Sequence, residues 1–201
     1  LSPYFDDFSE SKKFHRVLFR PAFAVQAREL TQSQTILQNQ IEKFGDHVFK
    51  QGSIVIPGGV GFDKKYYAVK LTSIDSSNTL AQFTNGTILT GGTSGVVAEV
   101  INTVALSGSD PDTLYVKYEK TGTNNTAFVF SDGETITGTN SDSVSLSAVV
   151  ETTATGSAAI GAAGTYYING FFVQADAETL ILDKYTNTPS YRIGYTITES
   201  F

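Results

Sequence analysis

The sequence predicts a mainly β chain with one long N-terminal α-helix, an antiparallel sheet domain and a small inserted β-barrel or sandwich. Three observations point there. One stretch, Phe23 to Val48, carries apolar residues at helical spacing. Nearly everything after it breaks into short runs rich in Val, Ile, Thr, Tyr and Phe, punctuated by Gly, Asn, Asp and Pro. From Ser76 the composition turns to Gly, Thr, Ser and Asn, marking off a segment of different character.

Residues 3–20, PYFDDFSESKKFHRVLFR, place Tyr4, Phe5, Phe8, Phe14 and Phe19 in an arm without clear periodicity. Phe14 to Phe19 has the length of a strand, and Pro21 stops it. So many rings need cover, either on the parent domain or on a neighbour.

The helix is expected to begin between Pro21 and Gln26. Its apolar positions Ala27, Leu30, Leu37, Ile41, Phe44 and Val48 form a heptad a/d series whose one remaining slot holds Gln34. Between Glu29 and Glu42 the other positions are Thr, Gln, Ser, Asn and a single Ile36, with no charge. A helix that faces only water usually carries charge there. An amide-rich neutral face suits packing against another chain, although a helix lying on its own sheet with a neutral outer side fits the same residues. Gly45 either ends the helix or sits in it as a weak point.

Beyond the helix, Gly52-Ser53-Ile54-Val55-Ile56-Pro57 is a short strand stopped by its proline, and Tyr66 to Thr72 is a second. In the acidic segment, Val96 to Val104 and Thr113 to Lys120 read as strands joined by a loop from Ser107 to Asp112. Two stretches there echo one another. Phe83-Thr84-Asn85-Gly86-Thr87-Ile88-Leu89-Thr90-Gly91 and Phe130-Ser131-Asp132-Gly133-Glu134-Thr135-Ile136-Thr137-Gly138 share F-x-[ND]-G-x-x-[LI]-T-G. Asn-Gly or Asp-Gly supplies a tight turn in each. Thr152 to Gly164, TTATGSAAIGAAG, reads as a small-residue linker. Thr165 to Val173 contains Asn169-Gly170 and is expected to fold back as a hairpin; Glu178 to Asp183 and Arg192 to Thr198 are further strands. Tyr66-Tyr67 and Tyr166-Tyr167 look like parts of one sheet. Residues 76–154 are therefore expected to be an acidic β insertion into an assembly domain formed by 1–75 and 155–201.

Charge supports two units. Residues 76–163 hold two lysines against eight acids, so they carry the whole net charge of −6, while the rest is balanced. No strongly basic run exists to neutralise phosphates, which argues against nucleic acid. There is no Cys, hence no disulfide, thiol nucleophile or thiolate metal site. No run of about 18 apolar residues suggests a membrane span. The missing Met at position 1 and the strand-like ITESF at the other end read as an interrupted chain.

Chemistry is hard to find. His15 and His47 stand alone on different elements, where zinc wants three or four ligands and a nucleophilic triad wants a distinctive turn. Gly58-Gly59-Val60-Gly61 lacks a following Lys-Ser/Thr and leads into a strand, so it reads as a turn and not a phosphate cradle. Asp110, Asp112, Asp132 and Glu134 have neither calcium-loop spacing nor a clear pairing for glycoside cleavage.

One block carries a resemblance. Phe19-Arg20-Pro21, Ala24 to Gln32 (AVQARELTQ) and Gln34 to Ile41 (QTILQNQI), preceded by Tyr4-Phe5-Asp6-Asp7-Phe8, resemble virion structural proteins of tailed bacteriophages that share a domain of unknown function. Gly164 to Val173 (GTYYINGFFV) and Pro189 to Gly194 (PSYRIG) are similar to the same family. The resemblance implies a non-enzymatic structural protein of a phage tail or baseplate, assembled in the host cytoplasm and located in the virion. It implies copies of the chain and other virion proteins as partners, fibre attachment as a further role, and no cofactor or catalytic residue. Subunit contacts are expected from Phe23, Ala27, Leu30, Gln34, Leu37, Ile41 and Phe44, with Tyr4, Phe5 and Phe8 of the arm. The alternative is a host-surface adhesin whose insertion binds glycan through Tyr115, Tyr118 or Phe128, aromatics that would equally fill a small core.

Overall fold

The computed structural model describes residues 5–200. Among them are one α-helix, α1 (Ala27–Val48), and ten strands. The first five strands are β1 (Ile54–Ile56), β2 (Val60–Ile74), β3 (Ile88–Gly91), β4 (Val97–Val104) and β5 (Thr113–Lys120). The others are β6 (Thr135–Thr139), β7 (Ser145–Gly161), β8 (Gly164–Ile168), β9 (Phe171–Ala175) and β10 (Glu178–Asp183). They form two antiparallel sheets, of three and seven strands, so the chain is mainly β with a single long helix.

The chain divides into two compact units: Leu1–Val60 with Gly161–Glu178, and Gly61–Ile160 with Thr179–Phe201. These seams differ from the 75/76 and 154/155 divisions expected from composition. The reason is that β2 and β7 both contribute to the core of the second unit: Val69 and Leu71 pack with Leu146, Ala148 and Val150.

In the first unit, β8 lies between β1 and β9. Asn169 (φ 46°) and Gly170 (φ 84°) turn β8 into β9, as the Asn-Gly pair predicts, and Tyr167 stands opposite Phe172 across the hairpin. The helix starts at Gln26, whose backbone N–H donates to the Glu29 carboxylate at 3.2 Å. It runs unbroken through Gly45. The segment Phe14 to Phe19 forms no strand.

In the second unit, six strands close a hydrogen-bonded ring, in the order β7, β2, β5, β4, β3, β6 and back to β7, with β10 alongside β7. Its interior is filled by Val69, Phe83, Leu89, Leu114, Phe130 and Ile136, among others. Strand alternation sends Leu114 and Val116 inward and Tyr115 to the other side. There Tyr115 stacks on Tyr66 with ring centroids 4.7 Å apart, beside Ala68 and Ala158. Residues 113–116 are thus all buried, because β5 is covered on both faces.

The two echoing segments are structurally equivalent and meet one another. Phe83 and Phe130 are both buried, and Gly86 and Gly133 both have positive φ. The Gly86 and Gly133 N–H groups donate to the carbonyls of Val100 and Val150, whose own N–H groups return to Thr87 and Glu134. β3 pairs with β6 so that Thr90 faces Thr137, the same position of the shared pattern, with the flanking pairs reversed about that rung.

Three further expectations fail. Tyr66-Tyr67 and Tyr166-Tyr167 do not share a sheet: the first pair lies on β2, which pairs within the seven-stranded sheet, and the second on β8, which pairs with β1 and β9 in the three-stranded one. Thr152 to Gly164 is not a linker: strand β7 continues to Gly161. Small residues there serve close packing, since a Cβ on Gly156 would lie 2.5 Å from the Lys184 carbonyl oxygen and 3.0 Å from that of Tyr66. Arg192 to Thr198 forms no strand.

Candidate assembly interface

Helix α1 meets its own unit on two sides. Towards the hairpin, Gly45 lies against the Tyr167 ring, and the Tyr167 hydroxyl sits 2.9 Å from both the Glu42 carbonyl and an Asp46 carboxylate oxygen. The neighbouring carboxylate and burial push that phenol up to about 12, burial being the larger cause. One turn earlier the Gln38 amide donates to the Gly170 carbonyl at 2.7 Å. Towards the arm, Arg28 pairs with Asp7 at 3.0 Å, Thr35 donates to Asp6, and Glu10 receives both Asn39 (2.9 Å) and Lys43 (2.8 Å). Those two partners hold the Glu10 carboxyl below its usual range. Ile36 is buried in this sector of the helix.

The remaining side of α1 is open. Leu30 is 54%, Leu37 62%, Phe44 68% and Val48 53% exposed, and Ala27, Gln34 and Ile41 are exposed too. At about 100° per residue these seven positions share one sector, with the hairpin partner Gly45 at one edge and the exposed Gln40 and His47 beyond the other. The helix therefore does not use its a/d stripe to rest on its own sheet; it rests there on Gln38, Glu42 and Gly45. What the helix leaves open is the apolar seam, and not the neutral outer side of a helix lying on its own sheet. Every charged residue of α1 lies off that seam: Arg28, Glu29, Glu42, Lys43 and Asp46.

Of the arm residues, Phe5 is exposed and Phe8 half-buried, while Tyr4 lies outside the described residues. Phe14, Leu18, Phe19 and Phe23 are also exposed, with the Arg20 guanidinium 4.8 Å over the Phe23 ring. The arm thus supplies polar and ionic contacts to α1 and leaves most of its aromatic surface uncovered.

The three aromatics of the glycan alternative are not brought together. Tyr115 is fully buried in its stack with Tyr66, which rules it out as a ligand-facing group. Tyr118 packs edge-on to Tyr67 and Phe130, and its hydroxyl accepts the Phe130 N–H. Only Phe128 is well exposed.

Two acids have roles that spacing did not reveal. Asp110 collects Lys184 (2.8 Å), the Tyr185 hydroxyl (2.6 Å) and Lys70 (3.5 Å), and these partners, Lys184 foremost, hold its carboxyl at about 2. Lys70 also sits 4.0 Å over the Tyr185 ring. Glu134 is buried; burial alone would raise its carboxyl, but donors from Ser94, Ser131 and Thr93 outweigh this and lower it. It is a bracket across a turn. Among the described residues no group of three or more His, Cys, Asp or Glu is placed to hold a metal ion, and no helix is long and apolar enough to cross a membrane.

The described chain is thus mainly β with one helix, and the apolar seam of that helix is exposed. Residues 2–109, more than half of the chain, match the family described as a domain of unknown function, DUF4815, and the chain belongs to that family. The matched span takes in the arm, α1 and β1 to β4. Neither a curated protein nor a solved structure matches the chain.

Proposed function

We propose that this protein is a non-enzymatic structural component of a phage tail or baseplate, and that α1 and the aromatic arm make its subunit contacts. The observation that carries the interface is the exposed a/d seam. Five large side chains, Leu30, Leu37, Ile41, Phe44 and Val48, leave on the order of 500 Å² of apolar surface open on one helix. That is as much as a typical monomer exposes in its largest patch, and here the exposed phenylalanines of the arm add to it. The virion setting is supported by the likeness of Phe19 to Ile41 to phage structural proteins.

Because Leu37 and Ile41 are exposed, replacing either by Asp removes seam surface without opening a core. Leu37→Asp and Ile41→Asp are expected to keep wild-type ellipticity and denaturant midpoint, and to be lost from purified particles when supplied in place of the native chain. Folded variants that enter particles at wild-type occupancy would overturn the interface.

A further inference from the structure

We infer that the open seam of α1 is filled by α1 of a second copy of this chain, in a parallel two-stranded coiled coil. The inference rests on the reading of the seam as a subunit contact, and not on the virion setting.

Spacing selects a helix as the partner. The seam residues follow 3-4-3-4-3-4 over three heptads, with Ala27, Gln34, Ile41 and Val48 at a and Leu30, Leu37 and Phe44 at d. A stripe this narrow fits knobs into the holes of another helix, whereas a helix that lies on a sheet uses a wider apolar face.

Residue choice selects two strands. The two large a residues are β-branched and two of the three d residues are Leu, the combination that favours a parallel dimer. A single polar residue at one a position, here Gln34, fixes register when it meets its own symmetry mate.

Charge selects a second copy. The flanking e positions are Thr31, Gln38 and Gly45, and the g positions are Ser33, Gln40 and His47, so no acid or lysine of one helix faces its like in the other. A partner of different sequence would normally be chosen by charge at these flanks, and none is offered.

The position of the hairpin selects orientation. It occupies the e flank, through Gln38 on Gly170 and Gly45 under Tyr167, while Gln40 and His47 on the g flank are exposed. Antiparallel pairing puts e against e, forcing both hairpins onto one side of the seam. Parallel pairing puts each hairpin beside its partner's open g flank, on opposite sides of a two-fold axis.

The chain has no cysteine, so introduced thiols give a clean test. Ala27→Cys and Val48→Cys are made singly in the full chain, oxidised at several protein concentrations, and the mass in solution is measured by light scattering. The expected result is a species of twice the 21.6 kDa chain mass, with each variant cross-linking to itself. An equimolar mixture should give no cross-link between positions 27 and 48, which lie about 32 Å apart along a parallel pair. A 27–48 cross-link shows an antiparallel pair, a threefold mass shows a trimer, and a monomer at every concentration shows no self-pairing; each overturns the inference. A monomer in solution combined with loss of Leu37→Asp from particles would mean that another protein fills the seam, leaving the interface itself standing. Normal entry of folded Leu37→Asp would remove both.

Discussion

A glycine in the middle of a helix normally costs stability, so its replacement by alanine gains about 1 kcal/mol. Gly45 of α1 is expected to behave in the opposite way. A Cβ there would lie 2.4 Å from one Tyr167 ring carbon, and 2.6 Å from both the next carbon and the hydroxyl oxygen. Comfortable carbon contacts begin near about 3.5 Å, so the overlap is roughly 1 Å. The ring is poorly placed to retreat. Its hydroxyl shares one proton between the Glu42 carbonyl and Asp46, and its ring centroid is 5.5 Å from that of Phe49 and 5.6 Å from that of Phe172. Overpacking of this kind costs about 1–3 kcal/mol, which cancels or outweighs the helix gain and leaves Gly45→Ala up to about 2 kcal/mol less stable than wild type. The assay is urea unfolding followed at 222 nm, a signal dominated by α1 because the rest of the described chain is largely strand. In a Tyr167→Leu background, where the ring end is gone, the same glycine replacement should become neutral or favourable. A higher urea midpoint for Gly45→Ala in the wild-type background would refute the packing argument.

Two further outcomes follow from the second unit. Asp110 titrates at about 2 when folded, below its ordinary 3.8, so its contribution is complete above about 3.8 and is lost as pH falls towards 2. Asp110→Asn should therefore lower the urea midpoint at pH 7 and pH 5 by similar amounts, with the gap to wild type closing between pH 4 and pH 2; a gap that persists at pH 2 would exclude this role for the charge. Phe128→Ser is expected to leave both stability and host adsorption of assembled particles unchanged, and a selective loss of adsorption would instead favour the glycan-binding alternative.

Much of the architecture is legible in residues whose local chemistry leaves few choices. Thr113 to Lys120 and Glu178 to Asp183 are dense in β-formers between breakers, and β5 and β10 have those bounds. Asn169-Gly170 dictates its turn because few other pairs tolerate two successive positive φ values. The misreadings have physical causes as well. The small residues of Thr152 to Gly164 look like a flexible tether, yet they are what a strand needs where β2 and the segment after β10 crowd it. Arg192 to Thr198 has strand-like alternation but forms no strand. The heptad of α1 was visible from its spacing, but which of its faces the chain itself would cover was not. That depended on Gly45 and Gln38, residues whose importance appears only when the hairpin from 164 to 175 comes back to meet them.

The rung at Thr90 and Thr137 has a consequence of its own. A segment that lines up with its own twin about one central residue carries, in a single copy, every donor and acceptor required to complete that seam. A half-length molecule bearing just one such stretch would close the same seam by meeting another molecule of its kind, and joining two of them end to end would make that meeting permanent.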